Sequence, residues 1–552
     1  MRPINSKEIG LVLTFLLALF FIGYMLFLGD NVLDPGDGVK HFQTSKFSWK
    51  YLHLLFDHWG KPIYTLFTSP FAQLGFQGMI VFNILLYVLS SVFLLKICEE
   101  LSVKNSWLIV VFCFSSPIYF WLVLSGLTEV LMATICVLVL YLFLKEKFFL
   151  GCVLLSFSLF SRPESNMVIP WYMLFLIIGK NYKYIPLIFT GPIIYSVLGY
   201  FHYDDIFWIV TKRPYSSTET YGSGELFHFV MGYKQILGSV ISFSFILGMG
   251  FLLFSVVQKK FSNITQETKW LLLVLFPVGS VLIVHSFVWW EGMQGSAGYF
   301  RVMATMVPFA CLVALFGINK LVDLISNKAQ MVSKGIVVAL ILLGTGSVYL
   351  SFKNIPIDER LMVEQRTLVK VAEWYKSKGN DQKIYYMSPY FAYQANIDPF
   401  SEKGQRDNMK RFSDKQTPSN NMKTGELILW DGQFSQNEAK MPLMLFLKDD
   451  NLELIQSFYP ERDVKFYGRY YSAQLFVKVD GKSKEQNIKV EKKYFKRNEK
   501  TTIIKDFKYY LNRIGNDEEW MKEISKKAKE RNLSVDSVLV LDATFWAKKN
   551  DF

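Results

Sequence analysis

The sequence predicts a polytopic α-helical membrane protein, with about eleven transmembrane helices and a soluble α/β domain at its C-terminal end. Three observations lead there. Of 552 residues, 51% are hydrophobic and 16% aromatic, and the apolar ones are concentrated in the first two thirds of the chain. They fall in long continuous runs. A hydrocarbon core about 30 Å thick takes roughly 20 apolar residues of helix to cross, and only helices or closed barrels satisfy their backbone there, so runs of this kind mean helices. The formal charge of +13 lies mainly in short loops between the runs and in the C-terminal tail. This placement reads as membrane topology rather than a nucleic-acid footprint.

The first run, Ile9 to Leu28, continues into Gly-Asp-Asn-Val with no small-residue cleavage site, so it is expected to be a retained anchor. Further runs cover residues 76–97, 107–124, 128–144, 148–162, 166–179, 185–201, 234–257, 270–290, 302–318 and 335–352. The decision that sets all later sidedness is whether 148–179 is one span or two broken at SRPES. With two, the Lys-bearing loops all face one side, which marks the cytoplasm. One span would hold Arg162 and Glu164 at mid-membrane at roughly 2.5 to 3.5 kcal/mol per charge. The break is therefore expected, which leaves the N-terminus cytoplasmic. Loops 29–75, 202–233 and 291–301, and everything after residue 353, then face outward.

Residues 1–355 form the expected membrane domain. In 356–479 an amphipathic pattern (Leu361, Leu368, Val371, Tyr375) precedes the β-like runs KIYYMS, ELILW, VKFYG and AQLFVKV, with a helix expected near LELIQSF. Residues 480–552 read as a basic linker to about 500 and a small helical tail. There Asn516 with Glu519 resembles a capping box, and Ser534 is placed to cap a last helix. All five cysteines (Cys98, Cys113, Cys136, Cys152, Cys311) lie in or beside apolar runs, so the soluble part has neither a disulfide framework nor a zinc finger.

The residues able to carry chemistry gather on the outward side. Asp34-Pro-Gly-Asp37-Gly38 has Pro-Gly at the centre of a type II pattern, which brings the turn's ends within about 7 Å. Two carboxylates held together raise the proton affinity of one, which suits a general base; the same pair could hold a divalent cation or serve only as a turn. Residues 39–60 read as a helix lying in the interface, with His41 four residues after Asp37. His53, Asp57 and His58 resemble metal ligands only loosely. Arg162 at the outer end of its span suits a phosphate, because a guanidinium offers bidentate hydrogen bonds and stays charged; a salt bridge to Glu164 is the plainer alternative. Arg301, Lys212 and Arg213 are further phosphate candidates. Glu129, at a helix start, satisfies the helix dipole.

No GxxxxGK[ST] loop and no HExxH motif occur, and ionisable residues are scarce inside the spans, which argues against an ATP-driven pump, a metalloprotease and an ion-coupled transporter. Taken in order, DPGDGVKHF, HWGKPIYTLFTSPF, GLTEVLMATICVLVLYLF, SRPESNMVIP and YFRVMATMVPF resemble the GT-C superfamily of integral membrane glycosyltransferases, in its bacterial mannosyltransferase and aminoarabinose-transferase-like group. The resemblance covers roughly residues 10–352. YGSGELFHF (residues 221–229) also looks like an outer-loop element of such proteins. The resemblance implies inverting transfer from a polyprenyl-phosphate-linked sugar to a glycan, lipid or protein hydroxyl. Asp37 would be the catalytic base with Asp34 as its alternate, and Arg162 and Arg301, with Lys212 and Arg213, would meet the lipid phosphate. His41, Glu129 and Glu164 are supporting residues. Gly38 departs from the paired acids common in the family and leaves the choice between Asp34 and Asp37 open. No cofactor is required, a divalent cation is the less favoured alternative, and no nucleic-acid partner is expected. Competing readings are an oligosaccharide ligase or polymerase, a transporter of lipid-linked substrate, and a non-catalytic scaffold.

Overall fold

The computed structural model describes residues 5–29, 31–212, 222–258, 265–326, 333–352, 362–379, 382–405, 408–466, 469–481 and 510–550, apart from positions 512, 513, 516, 532 and 533. The chain divides into two compact units, Met1–Met362 with Asp398–Phe400, and Val363–Ile397 with Ser401–Phe552.

The first unit is helical throughout. It opens with α1 (Ser6–Leu28), whose start is fixed by reciprocal capping: Asn5 Oδ1 accepts the Lys7 N–H, and the Asn5 N–H donates to Glu8. Then follow α2 (Asp37–Phe47), α3 (Pro62–Ala72), α4 (Phe76–Glu100), α5 (Trp107–Ser115), α6 (Pro117–Val123), α7 (Glu129–Leu144), α8 (Phe148–Ser158), α9 (Ser165–Ile178) and α10 (Thr190–Tyr203). Three single turns, α11 (Trp208–Thr211), α12 (His228–Met231) and α13 (Tyr233–Ile236), precede α14 (Ser239–Gln258), α15 (Gln266–Trp270), α16 (Phe276–Trp290), α17 (Val307–Ser326) and α18 (Ser333–Phe352).

Five helical stretches among the described residues are long and apolar enough to cross a bilayer: Ser6–Leu28, Phe76–Glu100, Tyr182–Tyr203, Gln266–Trp290 and Phe300–Leu324. Shorter apolar helices cover Glu129–Leu144, Phe148–Ser158, Ser165–Ile178, Ser239–Phe254 and Val338–Ser351. The protein is a polytopic helical membrane protein. Its first helix leaves Val12, Phe15 and Leu16 more than half exposed, a face that water would reject and lipid accepts.

Three details differ from simple spans. The run 107–124 is broken at Ser116-Pro117, because Pro117 has no N–H to continue the helix; Ser116 Oγ donates to the Ile236 carbonyl at 2.7 Å. The run 148–179 is two helices joined by residues 159–164. The stretch 266–290 contains a π turn at Leu271–Leu275 just before Pro277, and Tyr172 Oη donates to the Leu273 carbonyl at 3.1 Å, satisfying an acceptor in the loosened turn. Helices α14 and α17 meet at backbone distance: a Cβ on Gly317 would stand 2.5 Å from the Gly248 nitrogen, so only glycine fits there.

The second unit holds α19 (Val363–Ser377) and a mixed sheet of strands β1 (Ile384–Tyr385), β2 (Leu427–Asp431), β3 (Leu452–Phe458) and β6 (Ala473–Lys478), in the order β1-β2-β6-β3. β1 is parallel to β2 and the other pairs are antiparallel; β4 (Lys465–Phe466) and β5 (Arg469–Tyr470) form a separate hairpin. LELIQSF is thus a strand, not the expected helix. Its apolar residues bury at Leu452, Leu454 and Phe458, and pairing with β6 is what a seven-residue segment gains that an isolated helix of two turns would not. One face of the sheet packs Ile428, Trp430, Leu452, Leu454 and Phe476 into a core. Asp431 is buried, and its carboxylate accepts the N–H groups of Gln433 and Phe434 and the Ser435 hydroxyl, so it caps a turn. In the tail, helices Glu518–Arg531 and Val535–Asn550 close around Ile514, Ile524 and Val538. Ser534 Oγ accepts the Ser537 N–H at 3.1 Å, as a cap should. Asn516 and most of the basic linker lie outside the described residues.

Candidate active site

The DPGDG segment sits between α1 and α2, and its acids are held differently from each other. Gly36 has φ −93° and ψ −95°, so the segment is not the expected type II turn, which needs positive φ at that place. Asp34 replaces the backbone turn instead. Its Oδ1 accepts the Gly36 N–H at 3.2 Å and the Gly38 N–H at 2.8 Å, and so caps the free N–H groups that open α2. Asp37 is the first residue of α2. Beside it, a Cβ on Gly38 would lie 2.5 Å from the Ser125 carbonyl oxygen and 3.1 Å from Asp34 Cβ. The glycine after Asp37 is therefore demanded by the packing of this corner.

Ser125 belongs to the turn that delivers Glu129. Tyr64 on α3 donates to the Gly126 carbonyl at 2.7 Å, and Asn83 on α4 donates to the Leu122 and Leu127 carbonyls, both at 3.2 Å. These bonds place the start of α7, and hence the Glu129 carboxylate, against two arginines. Arg301, in the 3₁₀ turn Phe300–Met306 ahead of α17, reaches Asp34 Oδ2 with Nη1 at 3.2 Å, pairs with Asp37 Oδ2 through Nη2, and stands 3.6 Å from Glu129 through Nε. Arg162, in the α8–α9 connection, places Nη1 2.8 Å from Glu129 Oε1 and Nη2 2.9 Å from Glu164 Oε1, and Nη1 donates to Thr128 Oγ1 at 2.8 Å. His285 Nε2 closes the far end, 3.5 Å from Glu164. Four acids, two arginines and a histidine, drawn from five parts of the sequence, form one chain of charges at one end of the bundle.

Exposure falls along it. The Asp37 side chain is 35% exposed, Arg301 21%, Arg162 12%, and Glu129 and Glu164 are fully enclosed. Burial alone opposes ionisation of Asp37, but the Arg301 guanidinium and the Lys40 ammonium outweigh it and lower its pKa to about 2. Asp34 moves the other way: burial first, then the neighbouring Asp37 and Glu129 charges, raise it despite Arg301 and the Gly38 N–H. Two carboxylates whose environments push their proton affinities apart are a pattern of acid–base sites. Glu164 is also buried, yet Arg162 and His285 hold it well below the ordinary range.

His41 lies on α2 four residues from Asp37. It stacks on Trp59 at 4.7 Å and meets Tyr64 edge-on at 5.6 Å, and its enclosed Nδ1 has no hydrogen-bond partner among the described residues. Burial pushes its pKa down to about 3, so it is a neutral ring. Two cations escaped the sequence reasoning. Lys40 and Lys61 are each 8% exposed; Lys40 lies 5.6 Å over the Trp59 ring, and both lysines act on the groups around Asp37. Lys61 also has φ +61° immediately before α3, a backbone state worth a functional look in a non-glycine residue. The signals were available: Lys40 is one helical turn from Asp37, and Lys61 is the polar residue of HWGKP.

Other candidates stand elsewhere. Lys212 is exposed at the end of α11, near Asp205 rather than the acid cluster. Arg213 lies outside the described residues. His53 stacks on His202 and His58 packs on Trp208, so they turn to different partners. Among the described residues, no three His, Cys, Asp or Glu side chains gather as a metal would need.

No protein-family model matches the chain, and no curated protein matches it by sequence. Its fold does have solved counterparts. The chain superposes on ArnT from Cupriavidus metallidurans in the apo state with a TM-score of 0.52 and 10% identity, covering 84% of this chain and 97% of that one. ArnT from the same organism bound to undecaprenyl phosphate gives a TM-score of 0.53, again at 10% identity and with the same coverage. At that identity the likeness is one of fold.

Proposed function

We propose that the protein is an inverting membrane glycosyltransferase that moves a sugar from a polyprenyl-phosphate-linked donor to a hydroxyl acceptor at the outer face of the membrane. One observation carries the reading. In a bundle whose fold resembles that of ArnT, Asp37 pairs with Arg301 through Oδ2, and it is the most exposed acid of the charge chain. The solved counterpart with undecaprenyl phosphate bound supports a lipid phosphate as the ligand class, and the order of motifs in the sequence supports the reaction class.

In this mechanism the donor phosphate enters beside Arg301, with Lys40 and Lys61 as further cations. Arg162 is taken up by Glu129, Glu164 and Thr128 and buttresses the site from behind. The acceptor oxygen attacks the anomeric carbon as Asp37 takes its proton; the bond from that carbon to the phosphate oxygen breaks, and the phosphate leaves with the electron pair. A phosphate competing for Arg301 loosens its hold on Asp37, which makes the carboxylate a stronger base when donor is present. Fixed cations at the leaving group supply the electrostatic stabilisation, so the reading requires no metal. Asp34 keeps α2 and Asp37 in place.

The same reading puts the N-terminus in the cytoplasm and the C-terminal α/β domain outside. Purified protein in nanodiscs, incubated with labelled polyprenyl-phosphate sugars and a membrane extract, should yield a labelled product with the wild type and none with Asp37→Asn. Equal labelling by both proteins would reject the assignment. A cysteine at position 37 reached only by cytosolic reagents would reject the sidedness.

A further inference from the structure

We infer that His228 is a positioning residue for Arg301: it holds the turn that aims the guanidinium at Asp34 and Asp37. The inference rests on the reading of Arg301 as part of the site, but its geometry is independent of any reaction. GELFHF is the end of the segment YGSGELFHF (residues 221–229), which resembles an outer-loop element of GT-C proteins, and the mechanism above gives it no task.

His228 opens the single turn α12. Its Nε2 lies 2.7 Å from the Gly298 carbonyl oxygen. Because a carbonyl only accepts, Nε2 carries the proton and donates. The imidazole also stacks on Phe300, with centroids 4.7 Å apart and planes 20° from parallel. Both contacts fall on the three residues that lead directly into Arg301. Phe300 is seated from other sides as well. The Phe229 ring meets it edge-on at 6.1 Å, and Gly232 lies so close that a Cβ there would be 2.3 Å from Phe300 Cε1. A second fastening holds the strap to the end of α16, where the Gly224 N–H donates to the Trp289 carbonyl at 3.1 Å. Tyr299, the other neighbour in this short stretch, supports the guanidinium directly, with Arg301 Cζ 4.9 Å from its ring centre.

The physical argument is one of lever and pivot. Arg301 must satisfy Asp34, Asp37 and Glu129 at once from a 3₁₀ turn, a form whose own hydrogen-bond geometry is poor. Something outside the turn has to fix its rotation. Phe300, stacked on His228 and packed close against Gly232, is one peptide from Arg301, so a shift of that ring is passed to the Arg301 backbone.

The test uses full-length protein in nanodiscs and an arginine-specific reagent, phenylglyoxal, with modification followed at each arginine by peptide mass spectrometry. Arg301 should react slowly in the wild type. In His228→Ala it should react about tenfold faster, as expected when an ordering contact worth about 1.4 kcal/mol is lost, while Arg162 stays at its wild-type rate. His228→Gln, which keeps a donor for the Gly298 carbonyl, should recover most of the protection. Gly232→Ala, whose methyl group would press on the edge of the Phe300 ring, should reproduce the loss. Unchanged Arg301 reactivity in His228→Ala would overturn the inference, as would a parallel rise at Arg162, which would mean general loosening. Wild-type protein that transfers no sugar while the labelling behaves as described would remove the proposed function and leave this inference standing.

Discussion

The two arginines at the heart of the charge chain are the same residue in opposite circumstances. Arg162 is enclosed, with each of its acids shared or satisfied: Glu129 on one side, and Glu164, backed by His285, on the other. Arg301 meets three acids, but two of them border open space, and Asp37 is a third exposed. A buried ion pair contributes little net stability while it is intact and costs several kcal/mol when one partner is taken away. An accessible one can exchange partners. The first arrangement suits a scaffold and the second suits chemistry, although the sequence presents both arginines alike, at the tip of an apolar run.

Substitutions on either side should therefore fail in different ways. The largest effect is expected at the open end, where Asp37→Asn should lower transfer by about 10²- to 10⁴-fold, the span usual for a positioned general base, in a protein that still folds and elutes as the wild type, its melting temperature lowered only by the loss of the Arg301 pair. A variant that loses activity only by unfolding would erase the contrast. At the closed end, Glu164→Gln takes away one of the two buried carboxylates that hold Arg162 and should destabilise the protein by about 3 to 5 kcal/mol, measured by thermal unfolding in nanodiscs. Stability matching the wild type would remove Arg162 from its supporting role. Gly38→Ala lies between the two. Its methyl group must displace the Ser125 carbonyl or Asp34, at about 1 to 3 kcal/mol of overpacking, and both stability and transfer should fall together.

The smallest effect is the pH profile, and it sharpens the account of the open end. Asp37 is lowered to about 2, so its ionised form is favoured by folding. That contribution is present above the unfolded carboxylate value near 3.9, and is lost as pH falls through the folded one. The acid limb of kcat/KM, which reports the free enzyme, should accordingly lie below pH 4. In Arg301→Gln the same limb should move upward, because burial then acts on Asp37 with its main opposing charge gone. A limb that stays in place would separate Asp37 from Arg301.

Much of this was legible in the chain. Apolar runs, the charge pattern of the loops and the cost of burying Arg162 lead to a polytopic bundle and to two helices, not one, between 148 and 179; the fold agrees. The paired acids and the late arginine were visible as residues, and their meeting at one point was not. Asp34 and Arg301 are 267 residues apart, and no local pattern encodes that distance. LELIQSF read as a helix because its apolar residues fit either period in so short a segment; the neighbouring strand β6 decided the matter. Lysine usually marks a solvated face, and only the fold, with the Trp59 ring against Lys40 and both side chains 8% exposed, reveals Lys40 and Lys61 as enclosed.

The carbonyl of Ser125 pressed against Gly38 has a consequence for how this enzyme-like corner can change over generations. Any side chain at position 38 presses on the Ser125 carbonyl or on Asp34, so a second acid beside Asp37 comes only with a shift of the loop ahead of α7. The second negative charge of this corner stands instead on the far side of the proline, at position 34. Homologues that keep a small residue at 38 should keep an acid at 34, and those that lose the glycine should have moved the Ser125 loop as well.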